Sequence, residues 1–352
     1  MKIDQMETPV LVLDLDKMEE NVRTMQNLVE KCGIALRPHY KSHKCPQIAQ
    51  WQMEAGAVGI TCAKLGEAED LIVAGIKDVL IANQVVSPSK IARLAHLAKA
   101  CHLGVCVDDE ENINNLEKAA ALAGSAIYCL IEYEVGMRRC GVETKEEFLR
   151  LAKIIKSCPH LVYEGIQAYA GNLAHWKDHN ARKAASEKVD SLVKELIDYL
   201  TENGMPAKKV SGISTGTSIF KNSGIYNEMQ AGSYLFMDGA YYDLGLEFKN
   251  ALFILSELVS VKKDRIVADA GLKCIGTDQG PPRLLGYPGA ELDLSEEHTR
   301  FFIGGHNYKA GDKVFLIPSH GCTTVNLYDK IHLMRNNEIV GVVEVTSRGK
   351  CL

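Results

Sequence analysis

The chain has 352 residues, 46 % apolar and 24 % charged, with a formal net charge of −5. That length exceeds what one hydrophobic core usually holds, so one large barrel with an appendage, or two domains, is expected. The mildly acidic balance, without any long Lys/Arg cluster, argues against nucleic acid or an anionic membrane as partner and leaves small metabolites.

The opening residues Met1 to Glu7 lack the apolar core of a signal peptide. No window reaches the ~18 uninterrupted apolar residues of a membrane span, so a cytoplasmic protein is expected. The eleven cysteines are odd in number, scattered and never spaced Cys-x-x-Cys. They support neither a disulfide framework nor a zinc knuckle, and most should be buried thiols in a reducing compartment.

After Thr8-Pro9, Val10 to Asp14 reads as a strand, followed by an amphipathic helix to about Lys31 with Gly33 as its stop. Apolar runs then recur at 34–40, 57–63, 78–84, 102–108, 126–134, 161–169, 208–214 and 228–237, with helical patterns between most of them. Eight strands alternating with helices give the (β/α)8 count of a TIM barrel. A doubly wound open sheet would more often carry Gly-x-Gly-x-x-Gly after its first strand, which is absent.

From about residue 250 the rhythm changes to strands at 251–260, 265–269, 313–317, 325–334 and 338–346. The expected division is a barrel over 8–249 and a mainly β domain over 250–352, joined by the N-terminal strand. The segment 276–295, with Gly280-Pro281-Pro282, reads as a long irregular loop.

Chemistry concentrates at the ends of these strands. Arg37-Pro38-His39-Tyr40-Lys41-Ser42-His43-Lys44 follows the first barrel strand, where a barrel places a reactive amine. Lys41 is the candidate, and Lys44 reads as a solvated residue at a helix start. Ser214-Thr215-Gly216-Thr217-Ser218 and Gly232-Ser233-Tyr234 follow the seventh and eighth strands, where barrels often bind a phosphate. Small residues there let backbone N–H groups approach phosphate oxygens. Arg139 after the fifth strand can hold an anionic group, and Tyr169 after the sixth can pack on a planar ring. In Pro318-Ser319-His320-Gly321-Cys322, one-residue spacing on an extended segment would point imidazole and thiolate the same way, towards one metal ion. Glu297-His298 is a weaker metal candidate.

Together these segments, with Glu134-Val135-Gly136-Met137-Arg138-Arg139-Cys140-Gly141, Gly165-Ile166-Gln167-Ala168-Tyr169-Ala170-Gly171 and Asp269-Ala270-Gly271-Leu272-Lys273, resemble the D-threonine aldolase and D-serine dehydratase group of fold-type III pyridoxal-phosphate enzymes, relatives of alanine racemase. The resemblance covers nearly the whole chain. It implies Lys41 as the Schiff-base lysine, Arg139 near the cofactor's phenolic oxygen and Tyr169 beside its pyridine ring. It makes Thr215, Gly216, Thr217, Gly232, Ser233 and Tyr234 the phosphate cup, and His320 and Cys322 the ligands of a divalent cation. It also implies a homodimer.

His320-x-Cys322 resembles the dehydratases acting on D-serine or D-threo-3-hydroxyaspartate, whereas the aldolases of this group carry His-x-Asp. A thiolate favours zinc over manganese or magnesium. Asn172 stands where some relatives carry His. The expected activity is therefore elimination of water from a D-β-hydroxy amino acid to a 2-oxo acid and ammonia. The alternative is aldolase cleavage to glycine and an aldehyde; a racemase or a non-catalytic cofactor carrier ranks lower. Arg138 and Arg283 are possible partners for a second substrate carboxylate.

Overall fold

The structure, a computed structural model, describes residues 1–221 and 224–352. It opens with β1 (Val10–Asp14) and α1 (Leu15–Cys32). Strands and helices then alternate through β2 (Ala35–Leu36), α2 (Pro46–Glu54), β3 (Ile60–Cys62), α3 (Leu65–Val73), β4 (Asp78–Gln84) and α4 (Pro88–Leu97). They continue through β5 (His102–Val107), α5 (Glu110–Ala123), β6 (Ile127–Glu132), α6 (Lys145–Ser157), β7 (Leu161–Ala168), α7 (His179–Glu202), β8 (Lys209–Gly212) and β9 (Glu228–Met229). Backbone contacts divide the chain into two compact units.

The first unit comprises Gln26–Lys41, Pro46–Gly232 and Lys350–Leu352. Its eight strands form one parallel sheet in the order β2-β9-β8-β7-β6-β5-β4-β3. The ring is closed between β2 and β3, where Val58 and Thr61 N–H groups donate to the Leu36 and Pro38 carbonyls and His39 bridges Thr61 in parallel. This is the expected (β/α)8 barrel. Its strands read as unbroken apolar runs because helices cover the outer face: Val79, Leu80, Ile81, Val105, Leu130 and Ile131 are all buried. Burying each such side chain stabilises by about 1.5–3 kcal/mol before ordering entropy is subtracted. The helices begin where the sequence supplies caps. Asp109, Thr144 and Asp178 accept hydrogen bonds from the N–H groups of Asn112, Glu147 and Ala181 at the starts of α5, α6 and α7.

The outer barrel strands are shorter than the apolar runs suggested. The run at 34–40 narrows to Ala35–Leu36, beyond which only single bonds continue the pairing, Arg37 N–H to Met229 O and His39 N–H to Ala231 O. The run at 228–237 ends at Met229, and Ser233 opens a short 3-10 turn.

The second unit comprises Met1–Met25, Ser42–Cys45 and Ser233–Gly349. It contains β10 (Leu252–Lys262), β11 (Arg265–Ala268), β12 (Arg283–Leu284), β13 (Glu291–Leu294), β14 (Thr299–Phe302), β15 (Lys313–Ile317), α8 (Gly321–Val325), β16 (Lys330–Arg335) and β17 (Glu338–Glu344). They build a mainly β sheet in the order β13-β14-β11-β10-β1-β16-β17, with β15 on β10 and β12 on β15. The N-terminal strand β1 runs antiparallel to β10, Val10 opposite Leu255, and parallel to β16, Val12 opposite His332. Leu11, Val12 and Leu13 are fully enclosed there.

Three expectations are corrected in this unit. The segment read as an irregular loop contains β12 and β13; exposed Glu291 and Asp293 dilute the apolar signal of β13. The strand expected over 325–334 begins only at Lys330, because residues 321–325 are helical. Lys44 is half-buried, adopts a left-handed φ of 52° and donates to Ser347 O at 3.4 Å, so it is no simple solvated lysine. Of the eleven cysteines, five are buried, five half-buried and one exposed, and all are free, so burial is less general than expected.

At the strand N-termini of the barrel, six side chains of alternating charge form a closed ring. Arg37 pairs with Asp78 (2.7 Å), Asp78 with His102 (3.1 Å), His102 with Glu164 (3.0 Å), Glu164 with Lys209 (3.0 Å), Lys209 with Glu228 (3.9 Å) and Glu228 with Arg37 (2.8 Å). Arg37 fits because Gly59 has no side chain; a Cβ there would lie 2.1 Å from the guanidinium. The His102 ring also stacks on Tyr128 with centroids 3.7 Å apart. Hydrogen bonds to Asp78 and Glu164 outweigh burial and raise the imidazole from 6.5 to about 9. Burial alone would raise the Asp78 carboxyl, but His102 and Arg37 hold it well below the usual carboxylate range.

The sign of the pH dependence follows. A raised folded-state value means that the His102 contribution is complete below about pH 6.5 and is lost as pH rises through about 9. Thermal melts across that window should show a loss on the order of 2 kcal/mol, discounted for partial solvent screening. The loss should vanish in His102→Gln; an unchanged slope in that variant would rule out His102 as its source.

Candidate functional site

The C-terminal mouth of the barrel holds a cavity of about 160 Å³. Lys41, Arg139 and Tyr169, expected from the sequence, all line it, together with His39, Asn83, Gln167 and Gln230. Lys41 lies in a 3-10 turn directly after residues 37–39, and its N–H donates to His39 Nδ1 at 3.3 Å. Its Nζ is 5.7 Å from the centre of the Tyr169 ring. Arg139 is half-exposed and reaches Glu132 Oε1 at 3.5 Å, while Gln84 Nε2 donates to Glu132 Oε2 at 2.7 Å. Burial pushes the Glu132 carboxyl up, opposed by Gln84 and Arg139.

His39, Gln167 and Gln230 were passed over in the sequence. Their signal was present: strand alternation puts Gln167 on the same side as Tyr169, and a polar residue in a run buried on both faces needs a reason.

The segment after β8 forms a 3-10 turn, Thr215–Phe220, with Thr215, Gly216, Thr217 and Ser218 buried. The Thr217 N–H donates to Ser214 O, and the two hydroxyls lie 3.1 Å apart. At Gly216 a Cβ would fall 1.9 Å from the Ala174 carbonyl, so only glycine permits this approach. It also brings residue 175, a histidine with a buried Nε2, next in sequence to that contact. In the second loop, Ser233 starts a 3-10 turn, and the fully buried Tyr234 ring packs 6.0 Å from that of Phe248. An amine that can condense with an aldehyde, a guanidinium, an aromatic ring and a tight turn rich in hydroxyls are a donor set that fits pyridoxal phosphate.

The second unit places His320 and Cys322 side by side in a way the sequence did not foresee. His320 is extended but caps α8, so Gly321 and Cys322 are helical. The two side chains still meet: burial would lower the imidazole, but hydrogen bonding to Cys322, with Asp278 and Asp238 nearby, raises it to about 9. Asp278 Oδ2 lies 2.6 Å from His320 Nδ1, and its other oxygen accepts from the Thr323 hydroxyl at 2.6 Å. Asp238 accepts from the Gly321 N–H at 2.7 Å, and burial pushes its carboxyl up to about 6. Among the described residues no group of three or more His, Cys, Asp or Glu side chains is arranged as a metal site. The pair nonetheless fits a divalent cation: a carboxylate on Nδ1 leaves Nε2 as the ligand nitrogen, and sulfur beside nitrogen suits zinc.

The remaining candidates are engaged elsewhere. Exposed Glu297 pairs with Lys273 at 2.8 Å, and Arg283 with Asp243 at 2.8 Å while lying over the Tyr242 ring. Arg138 is exposed. No helix among the described residues is long and apolar enough to cross a membrane.

A closed parallel barrel whose first strand leads into a lysine, facing a tyrosine ring and an arginine in one cavity, is the frame of a pyridoxal-phosphate enzyme. The chain belongs to the alanine racemase family: the model of the alanine racemase N-terminal domain matches residues 13–240, and that of a putative serine dehydratase domain matches residues 251–334. It is 40 % identical to a 3-hydroxy-D-aspartate aldolase of Paracoccus denitrificans, over 99 % of this chain and 94 % of that one. A D-threo-3-hydroxyaspartate dehydratase of Delftia sp. is 28 % identical over 91 % of this chain and 92 % of its own. The crystal structure of a D-threonine aldolase from Filomicrobium marinum superposes with a TM-score of 0.94 at 36 % identity, covering 99 % of this chain and 98 % of the other. The chain is accordingly a pyridoxal-phosphate-dependent lyase.

Proposed function

We propose that this protein acts on D-β-hydroxy amino acids, with D-serine and D-threo-3-hydroxyaspartate as first substrates, and eliminates water to give a 2-oxo acid and ammonia. Lys41 would hold the cofactor and, as a free amine, would take the Cα proton on Nζ. Arg139, steadied by Glu132, holds an anionic oxygen of the cofactor. Tyr169 flanks the ring, and the turns at Thr215, Gly216, Thr217 and at Gly232, Ser233, Tyr234 receive the phosphate. His320 and Cys322 hold a divalent cation, with Asp278 fixing the imidazole. When bound, pyridoxal phosphate supplies an electron sink and the cation a Lewis acid for the β-hydroxyl. The observation that carries elimination is Cys322, whose sulfur meets His320. Zinc is the metal this pair favours. The working form is a cytoplasmic homodimer on the same resemblance.

Cleavage of Cα–Cβ to glycine and an aldehyde is the second reading. It is favoured by the higher identity to the two aldolases, 40 % and 36 %, than to the dehydratase, 28 %. Product analysis on D-serine, D-threonine and D-3-hydroxyaspartate separates the two. Ammonia with a 2-oxo acid is the expected result; glycine with an aldehyde and no ammonia assigns the protein to the aldolases.

A further inference from the structure

A second cavity, of about 350 Å³, shares no lining residue with the one that holds Lys41. It lies where β7 begins, between the last turn of α6 and the loop that leads from α7 to β8. Leu161, Met205 and Pro206 give it apolar walls, Tyr163 adds a ring, and exposed Lys156 and Lys208 complete it. The walls are fixed by backbone bonds. Gly204 takes a left-handed φ of 72° after α7, the Met205 N–H donates to Leu200 O at 2.9 Å, and the Lys208 N–H donates to Glu164 O at 3.0 Å. Apolar walls with a few polar groups, at this volume, are the ordinary form of a small-molecule site.

The polar groups of this cavity are unengaged. Among the described residues neither lysine amine has a carboxylate partner, whereas nearby Lys209 pairs with Glu164 and Lys145 with Glu195. No Asp or Glu among the described residues lines the cavity. Lys156 lies in the last turn of α6, where a cation offsets the helix dipole. Lys208 precedes a strand and has no such role. The Tyr163 hydroxyl is enclosed and has no hydrogen-bond partner among the described residues. A buried donor without an acceptor is costly, and an occupant of the cavity is the partner open to it. Because the lysines are exposed and the hydroxyl is enclosed, the polar ends of a fitting molecule lie at different depths.

We infer that this cavity binds a small aromatic carboxylate carrying a second hydrogen-bonding group on the far side of its ring. The carboxylate meets Lys156 and Lys208, the ring lies against Leu161, Met205 and Pro206, and the far group takes the Tyr163 O–H. The thioether of Met205 favours an aromatic body over an aliphatic one. With both cations at the exposed end, the affinity falls as salt rises.

The test is titration of the full-length holoenzyme with 4-hydroxyphenylacetate, phenylacetate and 4-hydroxyphenylacetamide, followed by ligand-observed NMR. The first should bind with a Kd of about 1 mM or tighter. Phenylacetate lacks the far hydroxyl and the amide lacks the charge, so each should bind about fivefold more weakly. In Tyr163→Phe the preference for the ring hydroxyl should shrink towards one. The melting temperature of that variant without ligand should not fall below that of the wild type, because the hydroxyl it loses had no partner. In Lys156→Met/Lys208→Met the preference for the charged probe should shrink towards one, with turnover unchanged. No saturable binding of 4-hydroxyphenylacetate up to about 10 mM, or equal affinities of the three probes for the wild type, overturns the inference. Preferences unaltered by these substitutions overturn it too, because they place the ligand elsewhere on the protein. A lower melting temperature in Tyr163→Phe has the same force, since it shows the hydroxyl already engaged by the protein.

Discussion

Replacing Lys41 with alanine is expected to reduce turnover of any D-β-hydroxy amino acid by at least ~10³-fold, since in the proposed mechanism one residue serves both as covalent anchor and as base. Two measurements separate these roles. Borohydride reduction should fix the cofactor to the wild type and not to the variant, and added methylamine should restore part of the turnover by standing in for Nζ. Lys41→Arg should be as defective as alanine, because guanidinium does not give up its proton near neutral pH. The geometry supports this concentration of roles. Among the described residues Lys41 is the one lysine lining the cavity, with Tyr169 beneath its amine, whereas Lys44 is tied to the Ser347 carbonyl. Turnover of the alanine variant within about tenfold of wild type, without added amine, would remove Lys41 from the mechanism.

The second large effect is expected at His320 and Cys322, the pair proposed to hold a divalent cation. Stripping the protein with a chelator, or the substitution Cys322→Ala, should lower turnover by ~10²–10³-fold while leaving cofactor absorbance intact, because Lewis-acid assistance contributes several kcal/mol. Zinc should restore the chelated wild type and not the variant. Cys322→Asp exchanges a soft ligand for a hard one and should shift the preferred ion towards manganese or magnesium. Asp278→Asn should weaken metal affinity by about 10–100-fold through the orientation of His320. Metal content by elemental analysis and activity should fall together; full activity in chelated wild type and in Cys322→Ala would show that no cation takes part.

The sequence carried the barrel because its signal is local. Runs such as Val79-Leu80-Ile81 are apolar on both faces, and each is followed by a capped helix. Lys41, Arg139 and Tyr169 could be placed at one mouth by counting strand ends, and the structure brings them into one cavity. What escaped depends on partners far apart in the chain. Asp278 meets His320 across 42 positions, and Gln167 meets Gln230 across 63. Neither spacing leaves a mark on the intervening residues. The short helix at Gly321–Val325 escaped for another reason: Gly, Thr and Val are poor helix formers, so a tertiary bond from the Gly321 N–H to Asp238, with a local one from the Thr324 hydroxyl to His320 O, must hold the turn.

The six-charge ring also bears on how the barrel assembles correctly. Asp78, His102, Lys209 and Glu228 are each the first residue of their strand, and the ring draws members from five of the eight strands, with Arg37 directly after β2. Sliding any of these strands by one position would turn its charge to the opposite face and leave two neighbours with one counterion each in place of two. Removing one partner from a buried pair, as Arg37–Glu228 is, costs about 3–5 kcal/mol, comparable to much of a domain's net stability, and less at the half-exposed Asp78 and His102. An apolar layer at the same place would tolerate such a slip, since one Val or Ile replaces another with little loss. The ring therefore works as an error check on strand register, penalising the closed barrels that hydrophobic burial alone could not tell from the native one.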